Sequence, residues 1–381
     1  MALKQMDALA ALREAAGEVI ETSLCDVQGN WLALVNTEDG KRLAFAAKGE
    51  AALSALWKDV EKEADVKDVH VSVMALNANN AALVRRYVKW TAPTACGTKG
   101  ASIGFSDWLG EADAVVAELF GKRQLKPVLV DFTTEDSEAL QRYFVQAVDT
   151  ATWGVLEEGY KEGYGANAAG LKTEEEIVKA LLYGYSMIGF DCSDKIDLGI
   201  EKLSDEAVDK RFEQFNETFR AAVHASYLNA EFKVGTSKIT FTENQLHRIV
   251  LEYGEAIMHI QFIYNSYLKN TPWDIDFELD LSKPGKVLTP QEHYLIGRLV
   301  HEGCDSLVYL GFDRQLKEPC FIREYYPSGL CERGADGTLA ALGGCGTSSA
   351  RGVNRHAPVA AIYNLNFFHV CGRGILRSIL S

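Results

Sequence analysis

Between Trp273 and Leu281 the sequence WDIDFELDL alternates acidic and apolar residues without a break. In a strand, whose side chains repeat every two residues, Asp274, Asp276, Glu278 and Asp280 share one face and the apolar residues the other. On an edge strand that acidic face is simply the wet side. In a closed barrel both faces are covered, and clustered carboxylates there must hold a cation, share protons or bind a polar substrate. Asp191 and Asp194 end the segment MIGFDCSD, where barrel enzymes carry functional groups, although either could equally cap a loop. Lys99, Lys172 and Lys195, near strand ends or in adjoining loops, could hold an anionic substrate as point charges, against the alternative of ordinary surface lysines.

Other residues carry weaker signals. His224, His247 and His259 lie among apolar residues in long helical stretches and read as packing residues rather than ligands. His293 and His301 fall two turns apart on one helix and read as solvent-facing. His356, near Ser348 and Ser349, lacks the nucleophile elbow and third partner of a hydrolase. Gly163, Gly165 and Ala168 spell GxGxxA, but they follow a helical pattern instead of a strand, so a dinucleotide site is not indicated.

The elements that must position these residues follow from hydrophobic periodicity. Residues 1–88 read as a small α+β unit: a helix, strands near NWLALV and KRLAFAA, a helix over AALSALWKDVEKEA, the strand VHVSVMAL and a helix through AALVRRYV. From residue 89 short apolar strands alternate with long helices: SIGF, EADAVVAELFG, PVLVDF, one helix from EALQRYF to LEEGY, a helix from TEEEIVKALLYGY, then MIGFDCS. Two long amphipathic stretches begin at SDEAV and TENQL, and a helix opens at TPQEH with Pro290 in its first turn. Thr173 with Glu176, Thr242 with Gln245 and Thr289 with Glu292 have capping-box spacing, which fixes three helix starts. Strand-helix alternation of this kind makes a parallel α/β sheet with function at the carboxyl ends of the strands.

Composition narrows the classes. The 381 residues carry a formal charge of −14, so no basic surface is offered to nucleic acid or an anionic membrane, and an anionic substrate would need cations supplied by the site. The N-terminal stretch interrupts its apolar residues with Lys4, Asp7, Arg13 and Glu14, which suits an amphipathic helix instead of a signal peptide. No run of about 18 apolar residues is present. Eight cysteines without CxxC or metal-ligand spacing point to a reduced, cytoplasmic protein.

Residues 311–381 differ from the rest. They hold ten of the 32 glycines, seven Arg against one Lys, and four of the eight cysteines, and helical periodicity disappears. The plain reading is a Gly-rich functional loop region; the favoured expectation is that this tail is out of frame, or otherwise replaces an authentic C-terminal third, and that a barrel built from residues 89–310 is incomplete and folds poorly.

The strings TAPTACGTKGASIGFSDWLG, DTATWGVLEEGYKEGYGANAAGLKTEEEI, GFDCSDKID and WDIDFELDL, in order over about residues 89–303, resemble the tagaturonate epimerase family, also described as tagaturonate/fructuronate epimerase. The resemblance implies a cytoplasmic TIM-barrel-like (β/α) enzyme of hexuronate catabolism that uses a divalent metal cation. It implies D-tagaturonate and D-fructuronate, interconverted at C4, as small-molecule substrates. The family's acid/base glutamate falls on Glu278, with Asp276 one inward step before it, and Lys99, Lys172, Asp191 and Asp194 join Asp276 as candidate substrate-binding residues. Metal ligands are not identified. Where the family carries an Asp-His pair, a base and a metal ligand, this sequence has Ala169 and Gly170. A later His-Ser-Gly-Ser-Asp string is missing from the tail, and Trp108 stands where the family more often has arginine. An inactive or sugar-binding relative, or another metal-dependent sugar aldolase or isomerase, are the alternatives; the sequence does not set the oligomeric state.

Overall fold

The computed structural model describes residues 2–49, 53–97, 101–105, 107, 109–120, 125–234, 237–281 and 287–304, and the backbone of five strands beyond them. Lys99, Trp108, His356 and the side chains of the tail lie outside the described residues, as does His301 beyond its backbone. The chain divides into two compact units, Met1–Gly189 and Phe190–Ser381.

Unit 1 opens with helix α1 (Gln5–Ala16) and five strands, β1 (Glu18–Val27), β2 (Asn30–Thr37), β3 (Gly40–Lys48), β4 (Val60–Val66) and β5 (Val69–Met74). They form an antiparallel sheet in the order β1-β2-β3-β5-β4. Antiparallel strands usually wet one face, but WLALV and LAFAA are apolar at both parities. The sheet accordingly buries both faces. Ala33, Val35, Ala44 and Ala46 pack under Ala8, Leu12 and Ala15 of α1. Leu32, Leu34, Leu43 and Phe45 pack with Val84 of α2 (Ala78–Tyr87) and, from further along the chain, Leu156. Among the described residues, the helix expected over residues 51–64 shrinks to a 3-10 turn at Ser54–Leu56. Asp59 takes a positive φ of 51°, and VEKEADV becomes the exposed edge strand β4. Its alternating charges are what a sheet edge tolerates.

The parallel part of unit 1 follows: β6 (Ala101–Gly104), α3 (Asp113–Phe120), β7 (Leu125–Thr133), α4 (Thr134–Leu140), α5 (Phe144–Glu158), β8 (Gly165–Leu171), α6 (Glu174–Tyr183) and the start of β9 (Met187–Asp191). β6 pairs with β7 and β7 with β8, both parallel, and the Ser186 amide donates to Ala166 O at 3.1 Å, joining β9 to β8. The single helix expected from EALQRYF onward is two, because Gln141 turns into left-handed backbone at φ 51° between α4 and α5. Gly154 lets α5 approach α3: a Cβ there would lie 2.7 Å from Asp113 Cβ and 2.9 Å from the Ala114 amide. Arg85 of α2 donates to Asp149 and Thr152 of α5, each at 2.8 Å, an ion pair removed from water that tethers the antiparallel layer to the parallel one.

Unit 2 completes β9 and continues with α7 (Asp205–Phe212), α8 (Glu217–Tyr227), the hairpin β10 (Phe232–Val234) and β11 (Ser237–Ile239), α9 (Glu243–Ile263), β12 (Asp276–Asp280) and α10 (Pro290–Cys304). The long stretch from SDEAV breaks into α7 and α8 because Asn216 caps a new helix, accepting from the Phe219 amide at 2.8 Å. All three capping boxes expected from the sequence form. The Cys192 amide donates to Asp280 O at 2.9 Å, placing the ends of β9 and β12 side by side. The other edge of β12 meets an antiparallel backbone strand, Phe367–Cys371, which departs from an all-parallel barrel. Among the described residues no helix is long and apolar enough to cross a membrane. The architecture is α/β with a parallel sheet.

Asp113, at the α3–α5 crossing, supplies a test of this packing. Burial first, then the charge of Asp107, push its carboxyl up to about 8, with Arg142 opposing. Between an unfolded value of about 3.9 and that raised value the folded state holds the extra proton, so stability falls as pH rises through the window and levels above it. Thermal melts across this range should show that decline in the parent and its flattening in Asp113→Asn; parallel declines would contradict the buried placement.

Candidate active site

The face of β12 that carries the carboxylates is covered. Asp276 has 0% exposure, Glu278 and Asp280 are half-buried, and Asp274, just before the strand, is exposed. The opposite parity explains why the strand sits this way. Ile275, Phe277 and Leu279 are buried, Phe277 stacks on Phe190 of β9 at 6.4 Å, and Tyr264 packs against it at 6.1 Å. Because the period is two, anchoring the aromatic side fixes the acidic side in register.

β9 brings a second acidic group to the same end. Asp191 is half-buried and its Oδ1 accepts from the Ser193 amide at 2.8 Å, so it does cap the loop; Asp194 is exposed. Between them Cys192 is buried, and its thiol is pushed up first by burial and then by the charges of Asp191, Asp194 and Asp280, with Lys195 opposing. The thiol therefore registers a negative field at the carboxyl ends of β9 and β12. Lys195 is half-buried and reaches Glu255 at 3.5 Å. A cleft lined by Tyr264, Trp273, Asp274 and Phe277 lies at the beginning of β12, away from this end of the strand.

Unit 1 holds a separate polar pair. Asp131 on β7 is opposite Asn167 on β8 in register, and Asn167 Nδ2 donates to Asp131 Oδ1 at 3.1 Å. Burial raises the Asp131 carboxyl, the Asn167 contact opposes, and Asp136 adds to the rise. Asp131 was not among the sequence candidates; its signal is a lone carboxylate near the end of the apolar run PVLVDF. Ala169 continues the Asn167 face of β8, and Gly170 adopts φ 71°, backbone in which a histidine would be strained. Lys172 is exposed, and its backbone amide donates to Glu176 at 2.8 Å.

The histidines divide. His259 packs against Phe190 at 5.2 Å, whereas His293, expected at the solvent face, is half-buried and its imidazole is pushed down by burial. His224 and His247 face each other instead of packing separately. Among the described residues, the group of three side chains close enough to share an ion is His224, Glu243 and His247. Among the described residues the strand-end carboxylates do not form such a three-atom group.

A family model described as tagaturonate epimerase matches residues 20–306. The chain is 29% identical over 279 residues to a tagaturonate/fructuronate epimerase of Thermotoga maritima, covering 73% of this chain and 56% of that protein. It is similar to the native crystal structure of the fructuronate-tagaturonate epimerase from Cohnella laeviribosi, with TM-score 0.67, 30% identity and coverage of 79% of this chain and 61% of that one. A complex of the same enzyme with two glycerols gives TM-score 0.66, 31% identity and coverage of 77% and 59%. The chain thus spans less than two thirds of the length of these relatives.

The acidic strand ends predict an inert thiol. Thiolates are the reactive form, so Cys192 should resist alkylation in the folded protein while, among the cysteines whose side chains are described, half-buried Cys96 is modified first. Peptide mass mapping after iodoacetamide treatment at mildly alkaline pH measures this; early labelling of Cys192 in folded protein would contradict both its burial and the field around it.

Proposed function

The chain belongs to the tagaturonate epimerase family, and from that premise we propose that it interconverts D-tagaturonate and D-fructuronate at C4. The observation that carries the reading is the covered carboxylate face of β12, with Asp276 out of water and Glu278 half-buried beside it. The cytoplasmic setting, the TIM-barrel-like (β/α) fold over residues 89–310 and the separation of a small unit at 1–88 and a tail at 311–381 belong to the same proposal. The three cysteines whose side chains are described, Cys25, Cys96 and Cys192, are free thiols, which is consistent with that setting.

The chemistry sets what the carboxylates must do. C4 is β to both the ketone and the carboxylate, so loss of its hydrogen gives no resonance-stabilised carbanion. Epimerisation is instead served by taking the proton from the C4 hydroxyl, breaking C3–C4 to leave a three-carbon enediolate and an aldehyde, and re-adding the enediolate to the other aldehyde face. The same proton then returns to the C4 oxygen, so atoms balance. Glu278 is the group proposed to hold and return that proton, as a half-buried carboxylate on the acidic face of the strand. Asp276 contributes the neighbouring charge, and Asp191 and Asp194 remain candidate substrate contacts at the end of β9. Lys172, exposed at the end of β8, remains a candidate for the substrate carboxylate, and Lys99 keeps that role as a proposal outside the described residues. A divalent cation, part of the family expectation, would stabilise the enediolate.

A second reading is favoured by one observation. Ala169 and a left-handed Gly170 occupy the places where the family resemblance puts an Asp-His pair, which suits a relative that binds the sugar without turning it over. Binding and turnover measured together on the purified chain separate the two. For the first reading, Glu278→Gln should lower turnover by about 10²- to 10⁴-fold with an unchanged melt, since the amide keeps the shape but cannot exchange the proton. Activity within about threefold of the parent, well under 1 kcal/mol in the barrier, would remove Glu278 from the mechanism.

A further inference from the structure

Helices α7, α8 and α9 bring together four polar side chains that the proposed reaction does not use. Nε2 of His224 on α8 lies 2.8 Å from Nε2 of His247 on α9. On its other side His247 directs Nδ1 at Asp209 Oδ1 of α7, 2.7 Å away. Glu243 stands four residues before His247, one helical turn back on the same face of α9. One ligand atom from each of His224, Glu243 and His247 lies within 4.8 Å of the others. The environment is graded: His247 is buried at 4% exposure, His224 half-buried and Glu243 exposed.

Proton placement makes this more than a packing contact. A carboxylate at Nδ1 favours the tautomer that carries its proton there and turns the Nε2 lone pair of His247 toward His224. His224 must then donate its own Nε2 proton across the gap. When His224 instead carries its proton on Nδ1, two nitrogen lone pairs converge on a point also reached by a carboxylate. The Asp209–His247 contact repeats the carboxylate–histidine arrangement that orients metal-bound imidazoles and fixes their tautomer. Phe212 closes one side, stacked on His247 at 3.8 Å and on His224 at 5.5 Å, and holds both rings nearly parallel.

We propose that His224, His247 and Glu243 form a binding site for a divalent transition cation of the zinc class, with Asp209 as the positioning residue. Two imidazoles and one carboxylate match the borderline character of such ions. Nitrogen ligands about 2.0–2.1 Å from a tetrahedral ion stand about 3.3 Å apart, so the pair need open by only about half an ångström. The exposed Glu243 side leaves an entry path and room for water as a fourth ligand. The site is built on helices and is independent of the strand-end carboxylates.

The test is titration of the full chain, stripped with chelator, with zinc ion followed by calorimetry, and with cobalt(II) followed by visible absorption. The parent should bind one equivalent with a ligand-field band and gain melting temperature with zinc. His224→Gln and Glu243→Gln should each lose that equivalent or its band, and Asp209→Asn should weaken binding about 10- to 100-fold. Glu278→Gln should keep the equivalent, which separates this site from the proposed reaction. Glu243 is exposed, so its variant reports even where a histidine variant folds poorly. A parent that takes up no zinc, or His224→Gln and Glu243→Gln variants that bind as the parent does, would overturn the proposal.

Discussion

A carboxylate with no exposed surface is the feature on which the arrangement of unit 2 depends. Asp276 occupies that position, on the strand that also carries Glu278 and Asp280. Removing a charged group from water is costly unless it is compensated by hydrogen bonds, opposite charge or a shared proton. The register that places it there is set on the other side of the strand, where Phe277 is held between Phe190 and Tyr264. That apolar grip sets the register, and the register commits the acids to the covered face. A one-residue slip would exchange the two sets and bury aromatics where carboxylates now stand.

Unit 1 solves a simpler problem with the same kind of reasoning. Its antiparallel sheet is apolar on both faces and must be covered twice, by α1 on one side and by α2 and α5 on the other. α5 is the shared part, since it also packs on α3 through Gly154 and holds Arg85 through Asp149. The segment around DTATWGVLEEGY is therefore constrained from several directions at once. Gly154 is a place of close approach, and Asp149, Thr152 and Glu157 are paired with Arg85 and Lys41.

Much of this was legible in the residues. Strict alternation over WDIDFELDL gave the strand and its two faces, and threonine-to-acid or threonine-to-glutamine spacing gave the starts of α6, α9 and α10. What was not legible depended on partners distant in sequence. GANAAGL has little strand character, yet it forms β8 because only small residues fit there: a Cβ at Gly165 would sit 2.9 Å from Cys96 Sγ, and one at Gly189 on the next strand 2.9 Å from Ala169 Cα. VEKEADV has helical composition and became an edge strand by pairing with β5. The His224–His247 contact spans 23 residues and exists because Asn216 ends one helical run and starts another, which turns α8 toward α9. Local pattern sees none of these packings. Asp131 was readable as a lone acid in an apolar run, but only its pairing with Asn167 makes it distinctive.

The central claim, that the covered carboxylates of β12 handle the proton at C4, is tested most directly by a crystal structure of the chain with a bound ketouronate or a non-cleavable analogue. The account predicts the C4 hydroxyl within hydrogen-bond reach of a Glu278 carboxylate oxygen, about 2.6–3.2 Å. An ordered ligand whose C4 hydroxyl is met by another group, with Glu278 engaged only by protein neighbours, would contradict it.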